Sequence, residues 1–373
     1  MDLTVGVGPP RSALPADLAV GLPLVKAALL YGDRVTLCSP AASLLLRLRD
    51  HAPTALAARL DVLAGLADDL GLDDAPARLA AVLAAGRVDA DVARDVVDAW
   101  WRRYRRALAD ATAASGLEAL APAVAAGRLT VETLGVGAIA RPSDFSQTAA
   151  ETYAASVADA VERGLVTPLL DGPTADGLRL AVEAGRVGVS EPHAHRAQAG
   201  GLAAHVLQRL PLFDRATVAE VLDVRADLDP ALARFRAAID AFAADLGAAA
   251  WEPQFAVEAD RVYHAQVAPA VAEIEDAVAS VGYLRELVTR YAERPGQFVP
   301  LAVPALSVAL ASPDVLAQTV AATLAGGSLL ANAAQAGWAV ADGRREVRAR
   351  RLFFVYAAGR RFRGDRDWRT RSA

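Results

Sequence analysis

Leu3-Thr4-Val5-Gly6-Val7 and Val35-Thr36-Leu37-Cys38 are the two stretches that decide the fold. Each is a short apolar, β-branched run with the composition of a strand. Between them Pro15 to Leu30 reads as a helix, and a second helix runs from Pro40 to about Asp50. The order β-α-β-α implies two parallel strands joined by a right-handed crossover. Two strands cannot form a sheet by themselves, so later segments must complete the layer. Leu129–Leu134, Leu165–Leu170 and Leu352–Tyr356 are the candidates.

Beyond Pro53 the periodicity is helical. Val97, Trp100 or Trp101, Tyr104 and Leu108 recur at three- and four-residue steps, with Arg102, Arg103, Arg105 and Arg106 on the other face. Phe235, Ile239, Phe242 and Leu246 form a second stripe, which Asp229-Pro230 opens as an N-cap and N1 proline. Val267, Val271, Ile274, Val278 and Val281 form a third. Breaks fall at Gly185 to Pro192 and at Glu252-Pro253. The sequence therefore predicts a mainly α protein, a multi-helix bundle with a small N-terminal α/β element. Its domains divide as 1–52, a small α/β element open to completion by later strands, a helical region 53–189, and a C-terminal helical domain 190–373 with an arginine-rich tail.

Composition narrows the class. Of 373 residues, 54% are hydrophobic and 22% charged, which places the chain among globular proteins rather than disordered ones. Much of the apolar content is alanine, the best helix former. Lys26 is the only lysine, and the arginine bias is that of a GC-rich coding genome such as an actinobacterium's. The net charge of −5 disfavours a generally basic nucleic-acid surface. Cys38 is the only cysteine, so neither an intrachain disulfide nor a thiolate zinc cluster can form. The N-terminal residues lack the basic and apolar regions of a signal peptide, so a cytoplasmic location is expected.

No chemical motif is complete. Gly6-Val7-Gly8 follows a strand as a phosphate loop would, but the third glycine and the Gly-Lys-Ser/Thr ending are missing, and Pro9-Pro10 remove two donors. A plain strand-to-loop turn accounts for it, and no cofactor is expected. His193 and His195 are the weak metal candidates. An H-x-H pair converges on one ion when extended, yet Ser190 and Pro192 look like a helix start, and two helical steps turn the rings about 200° apart. Asp223, Arg225, Arg234 and Arg236 offer an ion-pair network around Asp229-Pro230, or an anion site. The Trp100–Arg106 run interleaves aromatics and arginines, but on a helix these separate into a core stripe and a solvated face, so nucleic acid is not the expected partner.

The C-terminal third is unusual. Val315 to Ala341 is 27 residues without charge, and Arg344, Arg345, Arg348, Arg350 and Arg351 follow. Length and flanks resemble a positive-inside membrane span. Gln318, Asn332, Gln335 and Gly326-Gly327 interrupt it, which fits a buried central helix better.

Three segments, Ala28–Pro40, Leu210–Arg225 and Ala233–Arg236, resemble stretches of uncharacterised actinobacterial proteins. They cover less than a tenth of the chain, and the resemblance implies no activity. The functional expectation is a non-enzymatic helical interaction or regulatory protein, with a protein partner or self-association. A membrane-associated protein using 315–341 and the arginine tail is one alternative. A metal-dependent hydrolase using His193, His195 and a distant carboxylate is the other. Arg225, Arg234, Arg236, Arg344, Arg345 and Arg348 are the candidate anion or partner contacts.

Overall fold

The computed structural model describes residues 1–8, 18–50, 53–67, 70–132, 153, 155–159, 161–162, 167–279 and 347–363. The uncharged stretch 315–341, Arg344 and Arg345 lie outside them. The architecture is mainly α with one small parallel sheet. Among the described residues, no helix is long and apolar enough to cross a membrane.

The chain folds as two compact units. One comprises Met1–Arg209, Phe213–Arg225 and Asp240–Ala259; the other comprises Leu210–Leu212, Ala226–Ile239 and Asp260–Ala373. Each unit is assembled from segments that are not contiguous in the chain.

That sheet is built from β1 (Asp2–Gly6), β2 (Arg34–Cys38), β3 (Leu129–Val131) and β4 (Thr167–Leu170). The order is β3-β2-β1-β4, and every pair is parallel. Two of the three candidate segments thus complete the layer. The third does not: Leu352 caps a helix, Phe353–Phe362, instead of joining the sheet. Phe353 to Gly359 are all buried there, and Phe354 stacks on Phe235 with centroids 5.2 Å apart. Packing on all sides of the helix explains why this apolar run imitates a buried strand.

In β1, Leu3, Thr4, Val5 and Gly6 are all buried, so the strand is covered on both faces. This is the usual condition of a parallel strand. Helix α1 (Leu18–Tyr31) packs against β1 and β2, while α8 (Glu191–Gln208) packs against β4 and α1. The close approach depends on glycine. A Cβ on Gly200 would stand 2.7 Å from Thr167 Cγ2, and one on Gly201 would stand 2.8 Å from Phe255 Cζ. Between β2 and β3 run α2 (Pro40–Asp50), α3 (Leu56–Gly65), α4 (Ala75–Ala84), α5 (Ala90–Ser115) and α6 (Ala121–Ala125). In α5 the stripe resolves as Ala93, Val97, Trp101, Tyr104 and Leu108, with Trp101 rather than Trp100 buried. Gly116 ends α5 in the left-handed region (φ 73°), which satisfies the usual C-cap requirement.

Helix α7 (Gly172–Glu183) follows β4, and α9 (Val218–Ala243) and α10 (Gln254–Val262) follow α8. Here the Asp229-Pro230 expectation needs correction. The N-terminus of α9 is Thr217, whose capping box with Glu220 satisfies the free backbone donors, and Pro230 lies inside the helix. Phe235 and Ile239 are fully buried, and this packing holds the helix through the proline. The helix Phe353–Phe362 is α11.

Candidate functional site

In a parallel sheet all carboxyl ends lie at one edge, and ligands of such sheets bind where the strand order reverses. Here β2 and β3 extend to one side of β1 and β4 lies on the other, so the reversal falls between β1 and β4. The residues at this edge are Val7-Gly8 after β1, Cys38 to Ser43 around the end of β2, Glu132 after β3, and Asp171 to Thr174 after β4.

These groups are bound to one another. Val7 N–H donates to the Cys38 carbonyl at 3.0 Å. Gly8 N–H donates to Asp171 Oδ2 at 2.7 Å. The other oxygen of Asp171 caps α7 by accepting from Thr174 N–H at 2.9 Å and from the Thr174 hydroxyl. Tyr153 hydroxyl in turn meets Thr174 Oγ1. On the opposite side Glu132 Oε2 accepts from the Cys38 thiol at 2.7 Å, and Oε1 accepts from Ser156 Oγ at 3.1 Å. The Ser43 hydroxyl lies between the carbonyls of Ser39 (2.8 Å) and Glu132 (2.5 Å). Val7 and Gly8 therefore spend their backbone donors on the Cys38 carbonyl and the Asp171 carboxylate. A phosphate would have to displace them.

Electrostatics reinforce this. Burial pushes the Cys38 thiol far above its ordinary range, and the hydrogen bond and charge of Glu132 push it further. The thiolate is the nucleophilic form, so a thiol held protonated is chemically quiet. Cys38 is fully buried, and its carboxylate partner, 94 positions away, has no local signal in the sequence. Burial likewise raises the Tyr153 phenol well above its normal value. The Thr174 hydrogen bond opposes this, while the charges of Asp171 and Cys38 add to it.

The other candidates are dispersed. Ser190 precedes α8 and Pro192 occupies its first turn, as expected, so His193 and His195 diverge. His195 Nε2 pairs with Asp240 Oδ1 at 3.1 Å, and His193 Nδ1 is buried without a hydrogen-bond partner. Among the described residues no three His, Cys, Asp or Glu side chains gather as a metal site would require. Arg225 is almost fully buried and donates to the Leu30 carbonyl (3.1 Å) and Asp33 Oδ1 (2.6 Å). It ties α9 to the α1–β2 turn. Arg234 donates to the Arg348 carbonyl at 2.6 Å within the second unit. Glu132, Ser156, Tyr153 and Asp171 escaped the sequence reading because only strand order brings them together.

Comparison with protein-family models, curated proteins and solved structures finds no match.

Proposed function

We propose that this chain is a non-enzymatic cytoplasmic interaction or regulatory protein, a helical body built onto a small α/β element. The observation that carries this reading is the edge of the sheet where chemistry would be expected. There Cys38, Glu132, Tyr153, Thr174 and Asp171 are spent on one another. A catalytic constellation needs a nucleophile or base with a free proton path, and this network instead engages each such group in an internal hydrogen bond. The surface offers a contact: Val92 and Val96 are exposed on α5 and Trp100 is half-buried, a stripe at four-residue steps. Such a stripe suits an apolar partner helix or a second copy of the chain.

Sedimentation of the purified chain, alone and with proteins cross-linked through a photoreactive residue at position 96, tests the reading. Val92→Arg with Val96→Arg is expected to abolish association without changing the melting temperature. Turnover in hydrolase or transferase panels that is lost in Glu132→Gln or Asp171→Asn would refute it.

A further inference from the structure

A cleft of about 160 Å³ lies in the first unit between β4, α8 and the segment that enters α10. Leu24, Leu169, Ala204, His205, Trp251 and Phe255 contribute to its walls. Where α8 faces this space it carries the small residues Ala197, Gly201 and Ala204, with His205 and Gln208 beside them. The opposite wall is anchored. Gln198 Nε2 donates to the Ala248 carbonyl at 2.7 Å, and Glu258 Oε2 accepts from the backbone of Gly247 (2.8 Å) and Ala248 (3.0 Å). Trp251 and Phe255, four residues apart, are thereby held in place, and both are nearly buried. The cleft is preformed, so a ligand would not have to order its walls.

We infer that this cleft binds an uncharged, single-ring aromatic molecule carrying one hydrogen-bonding substituent. Size is the first argument. An enclosed cavity of roughly 150 Å³ in another protein's engineered core takes up benzene, and this cleft, which is partly open to solvent, offers a similar volume. The second argument is the lining: two aromatic walls match a ring, and Gln208 is a polar side chain that a substituent can meet. The third is charge. Among the described residues no Asp, Glu, Lys or Arg lines the cleft, so they offer an ionised ligand no counter-charge. The inference is independent of whether the chain has a protein partner.

The experiment is titration of the full chain with phenol and with benzamide, followed by calorimetry and tryptophan emission. One saturable site with Kd of about 0.1–1 mM is expected, with benzoate at least about tenfold weaker. Ala256 is exposed at the rim, so Ala256→Leu should fold normally and weaken phenol about tenfold by covering the opening. Trp251→Phe should remove the emission change while calorimetric binding persists. Absence of saturable heat up to about 10 mM of either probe would overturn the inference. So would unchanged affinity in Ala256→Leu with its melting temperature preserved, or benzoate binding as tightly as benzamide.

Discussion

Removing Asp33 should cost the first unit more stability than removing the arginine it holds. The Arg225 side chain is 4% exposed, whereas that of Asp33 is 40% exposed. Asp33→Ala takes from a guanidinium inside the protein its carboxylate acceptor, while the hydrogen bond to the Leu30 carbonyl stays. Breaking a buried pair in this way costs about 3–5 kcal/mol, and the half-exposed partner brings the figure to about 3. Arg225→Leu removes the buried charge and fills much of its volume. The Asp33 carboxylate it leaves behind reaches water, so the loss falls to about 1–2 kcal/mol, mainly the hydrogen bond to Leu30. In a unit of this size each kcal/mol moves the melting temperature by about 2–4 °C, so Asp33→Ala should melt about 6–12 °C low. Asp33 also holds the Met1 amino group, and that contribution must be separated. Asp33→Ala made in the Arg225→Leu background isolates it, leaving a coupling of about 1–3 kcal/mol for the pair. Urea unfolding of the four proteins, followed by circular dichroism, gives the cycle. An Asp33→Ala loss below that of Arg225→Leu, or a coupling near zero, would show that the clamp does not hold α9 to the α1–β2 turn.

Alkaline pH should destabilise the protein through Cys38. Its pKa is raised above its ordinary 9.0, so above pH 9 the unfolded chain loses a proton that the folded chain keeps. Stability is full below pH 9 and falls as pH rises through the window above it, and Cys38→Ala should flatten the first part of that decline in urea midpoints. Tyr104, pushed up to about 12 by burial, adds the same sign from pH 10 upwards. Gly200→Ala should destabilise by about 1–3 kcal/mol in thermal melts, since its Cβ would meet Thr167 Cγ2 and Leu169 Cδ2, both in the sheet. Pro230→Ala restores a donor within α9 and should raise its hydrogen-exchange protection by about 1 kcal/mol; slower protection would mean that the proline relieves strain there.

The primary structure fixes local matters: strands at Asp2–Gly6 and Arg34–Cys38, the helix from Pro40 to Asp50, the α5 stripe, and the divergence of His193 and His195. All of these depend on periodicity or capping within a few turns, which is written into neighbouring residues. Four features were decided only by tertiary structure. Leu352–Tyr356 became helix because aromatic packing, not pattern, arbitrates short apolar runs. Pro230 sits mid-helix because the cap at Thr217 and the core at Phe235 outweigh one lost bond. Cys38 found Glu132, and Tyr153 found Thr174, because the order β3-β2-β1-β4 gathers four chain ends at one edge. The cleft arises where small residues of α8 meet aromatics some fifty positions later in the chain. Sequence proximity carries no information about such contacts; burial and strand pairing across the sheet create them.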